Sequence, residues 1–158
     1  MKNKCFVIGI ISLFIGTAIV PPIQSEFIFE KNTITVDDEP GDADYTSIKE
    51  AVNHSSSGDT IEVYSGTYSE QEIHLENENL NLRGIAHEPG VGNDTGKPFI
   101  KGNCIYRGSI IRILANDVTI SNFTVENTAS ATNYSYCIHI GSDIWKILNN
   151  ITIRDCNI

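Results

Sequence analysis

The chain has 158 residues and a formal net charge of −9 at neutral pH. So acidic a surface repels nucleic-acid phosphates and anionic lipid headgroups, which argues against nucleic-acid binding and against peripheral membrane binding.

The N-terminus has the organisation of a secretory signal peptide. Lys2 and Lys4 precede an apolar run over residues 5–20, and a Pro-Pro pair and the small residue Ser25 follow it. The run falls short of the about 20 residues that a transmembrane helix needs, so an uncleaved anchor is the alternative interpretation. We predict a signal peptide over residues 1–25, a secreted or cell-surface location, and no membrane association beyond this segment.

Residues 26–158 are enough for one domain. Without Lys2 and Lys4, 9 of the 11 Lys and Arg residues remain against 20 Asp and Glu, so the net charge becomes −11. An entry strand is predicted over residues 33–36, and an acidic turn follows it.

The acidic turn supplies the candidate metal ligands. Asp37, Asp38, Asp42 and Asp44, with Glu39 among them, offer the carboxylate oxygens that calcium prefers. Their spacing does not match an EF-hand loop. The alternative interpretation is a solvated acidic turn in which Asp44 caps the following helix.

Residues 45–54 carry a helical pattern. Ser47 and Glu50 have the spacing of a capping box, and an apolar stripe at i, i+3 and i+4 begins at Ile48. We predict that this amphipathic helix covers the otherwise open N-terminal end of a stack of coils.

Eight short segments then place two apolar residues around one polar residue. A period of two is typical of strands that bury one face and expose the other. Strands this short do not close a sandwich core alone, but they can form the sides of stacked coils, so we predict a β-solenoid. The segments are 61–63, 73–75, 80–82, 111–113, 118–120, 123–125, 138–140 and 151–153.

The segments repeat at spacings that suit stacked coils. Segments 118–120 and 151–153 match at a spacing of 33, and segments 111–113 and 138–140 match at 27. Residues 86–97, rich in Gly, Pro, Asn and Asp, are predicted to be an insertion at one corner. Asparagines that flank the strands are expected to adopt left-handed corner conformations.

Two kinds of residue bear on export. Cys104, Cys137 and Cys156 are an odd number, so in an oxidising exterior at least one thiol lacks a partner in this chain; their pairing stays open, and burial as small apolar residues is the simpler interpretation. Five N-x-[ST] sequons permit glycosylation. They stand at Asn53, Asn93, Asn122, Asn133 and Asn150.

Five segments of the chain carry a family resemblance, at residues 34–38, 44–52, 58–68, 80–84 and 118–125. They resemble the pectin lyase-like superfamily of right-handed parallel β-helices, in particular exported pectinesterase-like and copper-site-maturation-like proteins. The resemblance implies an all-β fold, a right-handed parallel β-helix with an N-terminal capping helix. In pectinesterases the catalytic carboxylates lie in later coils, and no residue here matches that motif, so the resemblance implies fold without activity.

The predicted organisation has three parts: the signal peptide; residues 26–59, with strand, acidic turn and capping helix; and residues 60–158, with the coils. The last coil stops at Ile158 without a cap. We therefore expect the chain to be the N-terminal portion of a longer β-helix.

His139, Asp143 and Asp155 are the candidates for acid–base chemistry in a groove, and the alternative is that they are merely tolerated polar residues. We favour a non-catalytic scaffold or recognition module, with polysaccharide or a cell-surface protein as partner. The competing hypotheses are a polysaccharide lyase or carbohydrate esterase whose catalytic coils follow residue 158, and an exported metal-handling protein. A cluster of carboxylates, or of carboxylates with Arg or Lys, on one outer face of consecutive coils would indicate the enzyme. Aligned aromatics would indicate a binding module, and Thr, Asn and Ser without a cluster would indicate a spacer.

Overall fold

The computed structural model describes residues 31–105, 107–129, 135–141 and 147–158. The predicted signal peptide, Asn133 and Asp143 lie outside the described residues.

Within these ranges the chain forms short strands and one short helix, and every strand pair is parallel. The all-β prediction is confirmed. The helix found among the described residues is too short to span a membrane. The elements are β1 (Thr33–Val36), α1 (Ile48–His54), β2 (Thr60–Val63), β3 (Thr67–Tyr68), β4 (Ile73–Leu75), β5 (Asn81–Gly84), β6 (Phe99–Gly102), β7 (Ser109–Ile113), β8 (Thr119–Ser121), β9 (Thr124–Asn127), β10 (Tyr136–Ile140) and β11 (Thr152–Arg154).

The strands belong to three parallel sheets. The first sheet has the order β1-β2-β5-β8-β11, the second β3-β6-β9 and the third β4-β7-β10. From β2 onward the chain visits the sheets in a fixed sequence, so each strand pairs with the strand three elements later. Both predicted repeat spacings are confirmed, because Thr152 pairs with Thr119 and Ile138 pairs with Ile111.

The core lies between the sheets, because the register places aliphatic residues side by side at inward positions. Ile61, Leu82 and Ile120 are neighbours on the first sheet, and each is fully buried. Ile73 and Ile111 are paired and fully buried on the third sheet. Burial of each such side chain contributes about 1.5–3 kcal/mol, which is why a single inward pair defines so short a strand.

Corners of the chain repeat as the strands do. Asn79, Asp117 and Asn150 precede β5, β8 and β11, and their φ angles are +58°, +57° and +56°. Asn and Asp adopt this left-handed region more readily than other residues with a Cβ. The side-chain amide of Asn150 also donates to Oδ1 of Asp117 at 2.7 Å, which links successive corners. The left-handed conformation predicted for strand-flanking asparagines is confirmed at Asn79. It is wrong for the other four, none of which has a positive φ: Asn77, Asn116, Asn127 and Asn149.

The predicted helix is confirmed, with its first residue at Ile48. Ser47 is the N-cap, and its hydroxyl accepts a hydrogen bond from the backbone N–H of Glu50. The carboxylate of Glu70 accepts two more, from the N–H groups of Ile48 and Lys49, at 2.9 and 2.8 Å. An acid at the N-terminus of a helix accepts hydrogen bonds from backbone N–H groups that lack a partner within the helix, and its negative charge interacts favourably with the helix dipole. The apolar stripe of α1 is buried toward β1, β2 and β4.

Candidate cation site and outer strand faces

The acidic turn begins where β1 leaves its sheet. Asp37 donates its backbone N–H to the carbonyl of Tyr45 at 3.0 Å, and Tyr45 donates to the carbonyl of Thr35 at 3.1 Å. The turn therefore folds back on the end of β1, and the residues between Asp37 and Tyr45 project from one corner of the molecule.

The insertion at residues 86–97 folds onto the same corner. Its two ends are held by Ser65, whose backbone N–H donates to the carbonyl of His87 and whose hydroxyl donates to the carbonyl of Gly96 at 2.7 Å. The His87 ring also packs edge-on against Tyr64, with ring centroids 5.4 Å apart. These contacts bring the acids of the insertion to the acids of the turn.

Carboxylates from the two segments converge there. Oxygens of Asp37, Asp38 and Glu39 lie within 4.8 Å of one another, and oxygens of Glu39, Glu88 and Asp94 do the same. Glu39 belongs to both groups, so it joins them into one feature. We define the acidic cluster as Asp37, Asp38, Glu39, Glu88 and Asp94.

Most buried oxygens of the acidic cluster have no hydrogen-bond donor. Asp37 is 0% exposed, and neither of its carboxylate oxygens is hydrogen-bonded. Both oxygens of Glu88, Oδ1 of Asp38 and Oε2 of Glu39 are in the same condition. Oδ2 of Asp38 does accept a bond, from the backbone N–H of Thr67 at 3.1 Å. Buried charges without partners are rare because their desolvation is costly.

The pKa values report this crowding. Burial, with the charges of Glu88, Glu39 and Asp38, raises the pKa of Asp37 from 3.8 to about 7. Burial and the charges of Asp38 and Glu88 also raise the pKa of Glu39. Burial and the same acids raise the pKa of the Tyr68 phenol, which donates to the carbonyl of Tyr64 at 3.0 Å. Each carboxylate thus disfavours the ionised form of its neighbours.

The donor set suits a hard cation. Calcium takes six to eight oxygen ligands at about 2.3–2.6 Å, so two oxygens on one ion are at most about 5 Å apart. Two glycines leave space for the carboxylates. A Cβ on Gly66, whose φ is +154°, would stand 1.8 Å from Oδ1 of Asp38, and a Cβ on Gly92 would stand 2.8 Å from the carboxyl carbon of Glu88.

Two of the sequence candidates for calcium lie outside the acidic cluster. Oδ2 of Asp42 accepts a hydrogen bond from the backbone N–H of Val91 at 2.7 Å. Oδ2 of Asp44 accepts from the N–H and the hydroxyl of Thr35, at 2.8 and 2.7 Å, and these bonds hold the pKa of Asp44 below its ordinary value. Asp44 does not cap the helix, because Ser47 is the N-cap. Glu88 and Asp94 were not predicted.

The candidates for acid–base chemistry lie on different sheets. His139 faces outward on β10, in register with Arg112, and its ring stacks on Tyr136 with centroids 5.3 Å apart. Asp155 follows β11, on the first sheet, and forms an ion pair with Arg154 at 3.1 Å. Asp143 lies outside the described residues, so the structure places no carboxylate beside His139 from this set.

The outward positions of the first sheet carry mostly hydroxyl and amide side chains. In register they run Thr33, Thr60, Asn81, Thr119 and Thr152, and beside them Thr35, Glu62, Arg83, Ser121 and Arg154. Thr60 and Ser121 are nevertheless buried. The second row contains the ion pair between Arg83 and Glu62. Among the described strands, no two carboxylates stand side by side in register.

The glycosylation candidates differ in access. Asn53 and Asn93 are exposed. Asn150 is exposed too, but its amide bonds to Asp117, and the half-buried Asn122 donates its amide to the carbonyl of Gly84 at 2.8 Å. Asn133 is not among the described residues.

The three cysteines beyond residue 25 form no disulfide among the described residues. Cys104 is buried, and Cys137 and Cys156 are half-buried. Burial and the nearby charge of Glu72 raise the pKa of the Cys104 thiol, which keeps it protonated and little reactive.

No protein-family profile matches the chain, and a comparison with curated proteins finds no significant match.

Proposed function

We propose that this chain is an exported or cell-surface module, built as a right-handed parallel β-helix with α1 at its N-terminal end, that serves as a rigid, non-catalytic scaffold. The wholly parallel pairing and the fixed order in which the chain visits three sheets support the β-helix. The motifs that resemble the pectin lyase-like superfamily support the right-handed winding. The apolar run after Lys2 and Lys4 supports export.

The observation that carries the scaffold role is the composition of the outward rows of the first sheet. An active groove of a polysaccharide enzyme needs carboxylates at defined separations, with Arg, Lys or a metal ion beside them. Most positions of these rows offer hydroxyls or an amide instead, as along Asn81, Thr119 and Thr152. Glu62 is the one carboxylate in the two rows, and it forms an ion pair with Arg83. Hydroxyl and amide side chains contribute no acid–base chemistry near neutral pH.

Rigidity follows from the way successive strands are joined. Backbone hydrogen bonds continue beyond the strands at the corners, for example from Asn79 to Asn116 and from Asp117 to Asn149. The same corners carry side-chain bonds, so bending one layer against the next breaks several bonds at once. A structure of this kind holds its two ends at a fixed distance, which is what a spacer requires.

The third sheet supports a second candidate function, recognition of an anionic partner. His74, Arg112 and His139 are adjacent at outward positions of three neighbouring strands. Strands stand about 4.8 Å apart, so the row extends over about 10 Å. With Tyr136 stacked on His139, this face offers one guanidinium, two imidazoles and an aromatic ring to an acidic polysaccharide. Nε of Arg112 also donates to the carbonyl of Gly141 at 3.3 Å.

Enzyme assays with the exported chain test the scaffold role. Polygalacturonate and methyl-esterified pectin, each with and without calcium, would be followed for unsaturated products and for released methanol. We expect no turnover, and we expect strong hydrogen-exchange protection in all three sheets. Turnover that the substitution His139→Gln abolishes would overturn the non-catalytic proposal.

Binding to immobilised polygalacturonate tests the recognition candidate. Arg112→Gln removes the central charge of the third-sheet row, and Arg83→Gln removes an arginine from the first sheet as the matched control. If the row binds acidic polysaccharide, Arg112→Gln weakens binding about tenfold and Arg83→Gln leaves it unchanged. Equal loss in both variants would show non-specific attraction and remove this candidate.

A further inference from the structure

We propose that the acidic cluster binds Ca²⁺, and that the bound ion fastens the insertion at residues 86–97 to the turn after β1. The proposal does not depend on the scaffold role, because it rests on a corner of the molecule rather than on the strand faces.

Geometry is the first support. Three carboxylates come from consecutive residues of the turn, and two come from the insertion. Within each of the two groups the oxygens lie within 4.8 Å of one another, a separation that one calcium ion can bridge. Glu39, common to both groups, stands where one ion would contact both segments.

The second, independent support is Asp37. This side chain is fully buried, faces the other acids, and has no hydrogen bond to either carboxylate oxygen. A carboxylate in that position loses its hydration without any compensation from the protein, which is costly if it is charged. A divalent cation supplies the missing interaction for Asp37 and for the equally unpartnered Glu88.

The charge balance points the same way. The ion pairs recorded in the described part of the chain are Arg83–Glu62 and Arg154–Asp155, and neither touches the acidic cluster. Lys97 is the nearest cation in sequence to Asp94, but its ammonium group donates to the carbonyl of Asp155. None of these cations neutralises the five acids of the cluster. A bound cation would supply the missing positive charge.

The ligand atoms favour calcium over other metals. All donors are carboxylate oxygens, whereas zinc and copper sites use imidazole or thiolate. The neighbouring His87 turns its ring toward Tyr64 instead. Magnesium demands a tight octahedron at about 2.0–2.1 Å, while calcium accepts the irregular, multidentate arrangement that side chains from a turn and a loop provide.

A proton is the competing way to relieve the repulsion. Asp37 and Glu88 are close enough for the protonated form of one to hydrogen-bond the other, and that contact contributes to the raised pKa of Asp37. Proton sharing needs no metal and would leave the protein indifferent to calcium. The two explanations therefore separate in a single titration.

The experiment is a titration of the exported, chelator-treated chain with Ca²⁺, followed by calorimetry and by thermal unfolding. Terbium, a luminescent substitute for calcium, gives a second readout, because Tyr68 lies close enough to the acids to excite a bound ion. We expect saturable binding, and a rise in Tm of about 10 °C at a calcium concentration 100-fold above Kd. Magnesium should compete at least tenfold more weakly.

Matched variants locate the ion. Glu88→Gln keeps the size of the side chain and removes its charge, and we expect it to weaken calcium binding at least tenfold. Asp94→Asn tests an exposed ligand whose loss leaves the fold intact. Asp42→Asn is the control, because Asp42 belongs to the same turn but bonds to Val91 outside the acidic cluster. Its calcium affinity should stay within threefold of the parent.

Three outcomes overturn the proposal. One is the absence of any calcium or terbium binding by the folded parent chain at millimolar concentration. Another is binding that Glu88→Gln and Asp94→Asn both leave intact while Asp42→Asn abolishes it. The third is a chain that responds to acid but not to calcium, which would show that Asp37 and Glu88 share a proton instead.

Discussion

The two halves of the acidic turn differ in how their charges are compensated. Asp42 and Asp44 accept hydrogen bonds from the chain's own N–H and hydroxyl groups. Asp37 is buried, and its oxygens face other carboxylates. Asp37 and Asp44 are only seven positions apart, yet the chain supplies hydrogen-bond donors to one and none to the other. A carboxylate whose oxygens are hydrogen-bonded is therefore structural, and a buried carboxylate without donors is a candidate ligand.

The largest effect is expected from Gly66→Ala, which fills the space beside Asp38. In Gly66→Ala the new Cβ would meet Oδ1 of Asp38 at 1.8 Å, and alanine is also strained at the φ of +154°. We expect a loss of about 3–5 kcal/mol in the free energy of unfolding, together with the loss of calcium binding. Urea unfolding measures the first effect and terbium luminescence the second. Gly96→Ala, with open space at its Cβ, is the control for substitution at a glycine with positive φ. Equal losses in the two variants would contradict the packing explanation.

The two halves of the acidic turn should contribute to the pH dependence of stability with opposite signs. The pKa of Asp37 is raised from 3.8 to about 7, so the native state holds this proton more tightly than the unfolded state. The contribution of Asp37 to the free energy of unfolding therefore decreases as pH rises from about 4 to about 7. Above pH 7 the carboxylate is charged, and the full cost of its burial remains. Without calcium we expect a decrease of about 2–3 kcal/mol, after discounting for counterions and for coupling to the neighbouring acids.

Chemical unfolding from pH 4 to pH 8, with chelator and with calcium, measures this effect. The Asp37 carboxyl is surrounded by other titratable groups, namely Asp38, Glu39, Glu88 and the neutral Tyr68. The substitution Asp37→Asn therefore isolates the share of the pH dependence that Asp37 itself contributes. Saturating calcium should flatten the decrease, because the ion binds the deprotonated carboxylates. A curve that is unchanged by both calcium and Asp37→Asn would contradict the account.

Asp37→Asn should stabilise the calcium-free protein. The amide removes one buried charge and provides an N–H donor to the unpartnered oxygens of Glu88. We expect a gain of about 1–2 kcal/mol at pH 8 together with the loss of calcium stabilisation, which a pair of unfolding curves with and without calcium measures. A destabilised variant that still responds to calcium would mean that Asp37 is a structural residue and not a ligand.

Asp44→Ala gives the smallest of these effects. The substitution removes two hydrogen bonds to Thr35 at an exposed site, so we expect a loss of about 1 kcal/mol at pH 7. Hydrogen bonds lower the pKa of Asp44, so its contribution is present above the unfolded pKa and disappears as pH falls through the native value. Calcium affinity should not change. A large change in calcium affinity would indicate that the ion binds near Asp44 instead.

Much of the fold could be predicted because its signals are local. The inward pair Ile61 and Val63, the inward pair Ile73 and Leu75, and the capping residue Ser47 are each visible within a few positions of sequence, and each has the predicted place. β3 and β6 were missed. β3 is two residues long, and in β6 the buried Ile100 is flanked by Phe99, Lys101 and Gly102 rather than by a second inward aliphatic residue.

The acidic cluster could be predicted only in part. Asp37 and Asp38 stood out as a local run of acids, but Glu88 and Asp94 lie 50 or more residues later, in a segment that was predicted only as an insertion. Their approach depends on how Ser65 holds both ends of that segment. The backbone bonds between Asp37 and Tyr45 then decide which acids of the turn face inward, and no pattern of residue types encodes that choice.

The most direct test of the central claim is a crystal structure of the chain grown with terbium, with the ion located by anomalous scattering. The account predicts a peak within about 2.3–2.6 Å of oxygens from both the turn and the insertion, with Asp37 and Glu88 among the ligands. A peak beside Asp42 or Asp44, or no peak at this corner in crystals that contain terbium elsewhere, would contradict it.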